Sequence, residues 1–313
     1  TALLRAGIKI KFAEKDFVCN GNLYKKGTMI VLKNSNTQQI SALLSLSIQF
    51  HADITSITSG FMDSGLDFGS EKVHNVKMPM VALLTGSDVS STAAGEVWHL
   101  FDQQLNYPIS LLNSTSLTSI DLKGIDVIIF PDGNYKTLTE KESTLKNWVR
   151  QGGKIIAMES AVSQMVSGEW GIKQKKEDEE NKSASYDDLK RFENRERQSV
   201  SASIPGAIYK LDIDNSHPLF FGYTDDYFSL KMNSNVFEFM KEGWNVGVIK
   251  QENQISGFVG NSIKNKIQDG TVIAVQDYGN GSIVYFADNP IFRSFWENGK
   301  MMFANAVLLV GQK

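Results

Sequence analysis

The chain has 313 residues, 42% hydrophobic and 21% charged, enough to bury a substantial core in two domains, or in one large domain with an appendage. A net charge of −3 excludes general nucleic-acid binding, because neutralising phosphates requires a basic face. The single cysteine, Cys19, excludes an internal disulfide and a zinc-thiolate cluster, and no run approaches the roughly 18 apolar residues of a membrane span.

Thr1 to Lys15 lacks the charged start and continuous apolar block of a signal peptide, and reads as if the sequence begins inside a longer chain. Residues 1–76 form a small α+β unit and linker. Ile8–Phe12 alternates as a strand, Thr28–Leu32 is strongly β-prone, and Thr37–Gln49 carries Ile40, Leu43, Leu44 and Ile48 at helical spacing. A Gly/Ser/Asp-rich passage, Ser59–Ser70, ends the unit, and Lys77-Met-Pro79 delivers the chain into the next strand.

Residues 77–313 open with Met80–Leu84, a continuous apolar run of the kind buried on both faces of a parallel sheet. A tight loop, Thr85–Ser90, leads into a helix over about Thr92–Leu105. Ile109–Leu112 and Ile125–Phe130 are the next two strands. Thr139-Glu-Lys-Glu142 has the capping-box pattern and opens a helix to about Arg150, stopped by Gly152-Gly153 before the fourth strand, Lys154–Met158. This order predicts an α/β fold with an open, mainly parallel, doubly wound sheet of the flavodoxin-like kind. The segment 173–198 is dense in charge and reads as a solvated surface excursion rather than a binding tail. Ile204–Ile208 follows it. Further strands fall at Asn245–Ile249, Ser256–Val259 and Thr271–Val275. The turn Asp277–Gly281 makes a hairpin into Ser282–Phe286, and Phe303–Val310 closes as an apolar helix.

Several segments in order carry a resemblance. They are Leu84–Pro108, Phe130–Tyr135, Ile204–Ile208, Asn215–Leu219, Ser256–Gly260 and Asp288–Trp296, with Gly65–Ser70 upstream. Together they resemble the C-terminal class I glutamine amidotransferase-like domain, with its preceding linker, of secreted bacterial zinc carboxypeptidase-like proteins. The resemblance implies a carboxypeptidase A-like catalytic domain elsewhere in a parent protein, a periplasmic or extracellular location, and zinc only in that catalytic domain. The peptidase zinc needs a His-x-x-Glu pair, and none of His51, His74, His99 and His217 has a glutamate three residues on. Peptidase activity therefore does not carry over to this chain.

The resemblance also implies a cysteine on the turn after the fourth strand, where helix amides lower its pKa and stabilise an oxyanion. Here that turn reads Glu159-Ser-Ala-Val162, with Glu159 in the nucleophile's place and Ser160 beside it. The expectation is a non-catalytic accessory or ligand-binding domain without cofactor or metal of its own. Contacts with the parent's catalytic domain are expected, with no nucleic acid and no membrane span. The weak catalytic candidates are Ser160, Glu159 and His217, since a serine on a tight turn can act if a histidine reaches it. His217-Pro218 reads equally well as a rigidifying turn, and His99 as a packed or rim histidine in a helix. The crevice beyond the strand ends offers Gly86, Ser87, Ser90, Asp132, Asn134, Tyr135, Glu159 and Ser160 to a peptide or small molecule. Gly86–Ser90 can hold an anion on free amides, or simply cap a helix. Glu96 and Asp102, six apart, share no helical stripe and form no acid pair. Asp288, Asn289, Arg293 and Trp296 suit a carboxylate or glycan, but more commonly clamp a C-terminal helix. Metal ligation by Asp132 or Asp288 has no supporting spacing. Two alternatives remain: a hydrolase or amidotransferase using Ser160, and a pure protein-interaction module.

Overall fold

The computed structural model describes residues 1–175, 191–250 and 253–312. The charged segment expected over 173–198 therefore lies partly outside the described residues. Its described end enters an exposed helix at Arg195. No helix among the described residues is long and apolar enough to cross a membrane.

The strands are β1 Ile10–Ala13, β2 Phe17–Cys19, β3 Asn22–Tyr24, β4 Met29–Ile30, β5 Val73–Val76, β6 Val81–Thr85, β7 Ile109–Asn113 and β8 Val127–Phe130. They continue with β9 Lys154–Met158, β10 Gly206–Ile213, β11 Asp226–Lys231, β12 Trp244–Ile249, β13 Gln254–Phe258, β14 Gly270–Tyr278 and β15 Gly281–Phe286. The α-helices are α1 Ala2–Arg5, α2 Ile40–Gln49, α3 Ser91–His99, α4 Lys136–Thr139, α5 Thr144–Arg150, α6 Ser160–Ser167, α7 Arg195–Ser201, α8 Asn261–Lys264 and α9 Glu297–Leu308.

The main sheet has ten strands, in the order β11-β10-β12-β14-β15-β9-β8-β6-β7, with β13 paired to β10 off this path. Its parallel half, β15-β9-β8-β6-β7, is the predicted doubly wound sheet. The reversal of strand order that marks a flavodoxin-like sheet falls between β6 and β8, since β7 lies on the far side of β6. Strands β15, β9, β8 and β6 are buried on both faces, as their largely apolar runs require. Adjacent residues of β15 point to opposite faces and find different partners. Phe286 packs on Phe303 of α9, while the Tyr285 hydroxyl donates to the Trp170 carbonyl beyond α6. Both faces are covered.

The remaining strands make an antiparallel extension joined through the β14–β15 hairpin. The expected turn is there, with Gly279 at φ 67° between Tyr278 and Gly281, which face each other. Residues 1–76 contribute a separate three-stranded sheet, β4-β1-β5, and the hairpin β2–β3. Ile8, Ile10, Phe12 and Val76 form one small core with Phe221 and Leu309 of the larger unit. Phe12 meets Phe221 edge-on at 6.0 Å, and Lys26 Nζ donates to Asn215 Oδ1 at 2.9 Å.

Several boundaries differ from the sequence reading. The β-prone run 28–32 pairs only over Met29–Ile30. The cap at Thr139 is displaced: its hydroxyl donates to the Lys136 carbonyl within the short α4, and Glu140 turns extended. Ser143 caps α5 instead, accepting from Lys146 N. The helix after β6 ends at His99 and continues as a π turn over Leu100–Gln104. The last helix begins at Glu297, well before Phe303. Strand β11 has no counterpart in the sequence reading.

Candidate functional site at the carboxyl ends of the parallel strands

Strand β9 is wholly buried and ends at Met158. The next residue, Glu159, has φ 51° and ψ −118°, a positive-φ conformation that costs a non-glycine residue about 1–3 kcal/mol. Its N–H donates to the Phe286 carbonyl at 2.8 Å, which fixes the bend against β15. Helix α6 starts at Ser160. This is the sharp strand-to-helix elbow on which hydrolases present a nucleophile, and its apex carries a carboxylate.

Ser160 is engaged by the neighbouring loop. Its N–H donates to Asp132 Oδ1 at 3.2 Å, and its hydroxyl donates to the same carboxylate oxygen. Its oxygen accepts the Gly133 N–H at 3.0 Å and lies 2.8 Å from the Gly133 carbonyl. The amide that would face an oxyanion is thus already held by an acidic side chain. Gln164, one turn along α6, pins the same loop by donating to the Gly133 carbonyl at 2.7 Å and accepting from Tyr135 N.

The crevice expected between β6 and β8, where the strand order reverses, is closed by the chain itself. Ser90 N donates to the Asp132 carbonyl at 2.9 Å, and Asn134 N to the Asp88 carbonyl at 2.7 Å, with Val89 and Gly133 bridged as in a sheet. A Cβ on Gly133 would lie 2.6 Å from the Asp88 carbonyl, so only glycine permits this approach. Ser90 caps α3 through Ala93 N, and the Ser87 hydroxyl meets Asp88. Gly86, at φ 115°, backs onto Asn113. Tyr135 is buried, its hydroxyl donating to the Pro131 carbonyl, and burial with the charges of Asp132 and Asp88 keeps the phenol neutral. Asn134 faces solvent. The structure brings the three predicted loops together, but as a stitched surface.

The chemistry shifts towards β9 and β15. Burial raises the Glu159 pKa to about 8, reinforced by the charges of Asp132, Asp288 and Glu96 and partly opposed by a hydrogen bond with Asn289. Glu96 on α3 is also raised by burial, against the Asn289 side chain at 2.7 Å and the Arg293 backbone and charge. Asp288 is enclosed. It accepts from Ser229 Oγ at 2.8 Å and forms an ion pair with the equally enclosed Lys231 at 2.8 Å. Lys231 also donates to the Asn235 carbonyl.

Ser229 and Lys231 are the site residues that sequence reading missed. Their signal is the alternation Tyr227, Ser229, Lys231 within Asp226–Lys231, whose alternate side chains point inward. A lysine and a serine on an inward face have no apolar period, so the strand stays hidden. Trp296 and Asn298 both donate to the Phe228 carbonyl, holding the start of α9. That is the helix-clamping role.

The histidines are used elsewhere. His217 Nδ1 accepts from Leu219 N at 3.1 Å and caps the turn Pro218–Phe220, and burial lowers its pKa to about 4 against the opposing charges of Asp214 and Asp277. Asp277 faces Ser282, which in turn pairs with Lys154 at the start of β9. The same end of α9 holds both: Asn305 donates to the Leu219 carbonyl beside His217, and Lys154 to the Ala306 and Val307 carbonyls, so His217 lies towards the start of β9, away from Ser160. His99 Nδ1 meets Ser294 Oγ at 2.7 Å, and His74 meets Glu14 at 2.7 Å. Cys19 is buried with Phe17, Leu66 and Val73 in the small unit. Among the described residues, no three His, Cys, Asp or Glu side chains are placed to hold a metal ion.

The chain matches no family model, and no curated protein matches it. Among solved structures it is similar to a glutamine amidotransferase from Thermotoga maritima, at 9% identity over 68% of this chain and 76% of that one, with a TM-score of 0.40. It is also similar to a putative GMP synthase component from Thermoplasma acidophilum, at 10% identity over 73% and 92% of the two chains and a TM-score of 0.42. A third likeness is to a beta-galactosidase from Bacillus circulans sp. alkalophilus, at 13% identity and a TM-score of 0.40, covering 74% of this chain and 31% of that enzyme. The chain thus spans less than a third of the galactosidase. These neighbours include folds of the glutamine amidotransferase-like kind at low identity, and they carry nothing about activity.

Proposed function

We propose that this chain is a non-catalytic accessory or ligand-binding module of a zinc carboxypeptidase-like parent, without the zinc site and without the amidotransferase cysteine. The parent and its periplasmic or extracellular location rest on the sequence resemblance. The non-catalytic reading rests on one observation: at the elbow, the Ser160 N–H and hydroxyl both donate to Asp132, beside a glutamate at the apex. For a nucleophile at position 159, an acyl-transfer site needs that amide free for the oxyanion. A carboxylate beside the amide repels a developing oxyanion. What the site retains is a half-enclosed acidic apex between Asp132 and Asn289, suited to a peptide or small molecule bearing a hydrogen-bond donor.

The test is turnover by the intact chain on ester, peptide and glutamine substrates, alongside Ser160→Ala and Glu159→Gln. No turnover by any of the three proteins is the expected result. Turnover by the wild type that Ser160→Ala abolishes would establish the serine hydrolase alternative instead. Binding is read separately, as a melting-temperature shift with short peptides that Glu159→Gln removes.

A further inference from the structure

Among the described residues, Lys231 and Asp288 make the one ion pair in which both side chains are enclosed, at 0% and 3% exposure. They lie 57 positions apart in the chain. Strand β11, which carries Lys231, is four places from β15 in the sheet order, yet its lysine reaches the residue just beyond β15. Two charges taken out of water are costly to keep, because the loss of hydration can exceed their attraction. The other buried lysines, Lys146 and Lys154, donate to backbone carbonyls. Lys231 is the buried lysine set against a carboxyl group. Buried Tyr209 and Tyr227 lie close enough to feel the Asp288 charge, so the pair sits in aromatic surroundings closed to solvent.

We propose that Lys231 and Asp288 are the two halves of an intramolecular isopeptide bond, which the folded chain forms by itself. Lys231 Nζ lies 2.8 Å from Asp288 Oδ1, Ser229 Oγ donates to Oδ2 at 2.8 Å, and the Asn235 carbonyl accepts from Nζ at 2.7 Å. Away from water, a proton passes from the ammonium to Oδ1, which leaves an amine facing a carboxylic acid. Nζ then attacks Cγ. As the C–N bond forms, negative charge develops on Oδ2, where the Ser229 hydroxyl already donates. The Cγ–Oδ1 bond breaks, and that oxygen leaves as water with a second proton from the nitrogen. One ammonium and one carboxylate thus become one amide and one water, with no change of oxidation state. The amide suits the partners that held the ions: its oxygen keeps the Ser229 hydroxyl, and its remaining N–H keeps the Asn235 carbonyl. Both polar groups stay satisfied and both buried charges are gone. The bond closes a 57-residue loop and ties the edge strand β11 to the end of β15, in a chain whose single cysteine permits no internal disulfide.

Intact-mass spectrometry of the denatured wild-type chain tests this. The expected result is a mass one water below that of the sequence, with proteolysis releasing a branched fragment that joins the Lys231 and Asp288 peptides. Lys231→Arg keeps the opposite charges but has no amine to acylate, and should show its full sequence mass. Ser229→Ala should slow the loss of water about 100-fold in a time course after cell-free synthesis, as removal of an oxyanion donor does. A wild type at its full sequence mass overturns the proposal, whatever the variants do. So does a loss of water that persists in Lys231→Arg, or one that maps to a hydroxylamine-sensitive succinimide such as Asp132-Gly133 would give.

Discussion

Strand β9 carries an ionisable side chain at each end, and the two ends treat theirs differently. At the start, Lys154 is enclosed, and its ammonium donates to the Ala306 and Val307 carbonyls of α9, each at 2.9 Å. Burial brings its pKa down to about 7, with Asp126 opposing. Both carbonyls lie in the last turn of α9, where a cation also meets the negative end of the helix dipole. At the other end, Glu159 sits on a strained elbow among Asp132, Asp288 and Glu96. One desolvated group is given backbone partners and ties two elements together. The other is surrounded by carboxylates and held in a positive-φ bend fixed by its N–H to Phe286. The first pattern is structural, and the second supports the binding role proposed above, since clustered groups with perturbed pKa values mark functional sites as well as structural networks.

The largest test of this contrast is the ion pair that supports the acidic end. Lys231→Met leaves Asp288 enclosed and unpaired, and should cost about 3–5 kcal/mol by urea denaturation. Adding Asp288→Asn should restore part of it, because the orphaned charge is gone. A loss no larger in the single variant than in the double would show that the pair does not organise this end.

Glu159→Gln comes next. The folded carboxyl keeps its proton up to about pH 8, whereas the unfolded one loses it near 4.5, so the native state binds more protons in between. Glu159 therefore stabilises least above pH 8, and its contribution falls away as pH rises from 4.5. The glutamine variant should gain ~2 kcal/mol over the wild type at pH 8.5 and nothing at pH 4. Equal urea midpoints at pH 8.5 would remove Glu159 from the acidic cluster.

Lys154 reverses the sign. Between about pH 7 and 10.5 the unfolded lysine is charged and the folded one is neutral, so its contribution weakens as pH falls through that window and improves as pH rises. Lys154→Met should abolish that rise, and its stability relative to wild type should be better at pH 7 than at pH 9.5. The smallest effect belongs to His217. With a folded pKa of about 4 against 6.5, it stabilises above pH 6.5 and loses this as pH falls towards 4. His217→Asn keeps a capping oxygen, so it should cost under about 1 kcal/mol at pH 7 while flattening the acid limb.

Much of this was legible from the residues. Apolar runs at 80–84, 125–130 and 154–158, punctuated by Gly and Ser, specify buried parallel strands because only such strands need no polar face. The glutamate at the turn after the fourth strand is likewise a matter of reading one position. The antiparallel extension was not equally legible: Asp226–Lys231 places Ser229 and Lys231 inward, and an ion pair with a residue 57 positions away leaves no local period. Nor was the fate of the crevice. Gly86, Ser90, Asp132 and Asn134 are the right residue types for a ligand, but the loops that carry them are stitched to one another.

The sequence by itself determined the buried parallel strands at 80–84, 125–130 and 154–158 and the Glu159-Ser160 turn that follows the last of them, because these depend on hydrophobic period and residue identity. Tertiary structure alone decided that Asp132 takes the Ser160 amide, that His217 serves the opposite end of the sheet, and that Lys231 neutralises Asp288. Those outcomes depend on distances between segments that the chain brings together only by folding.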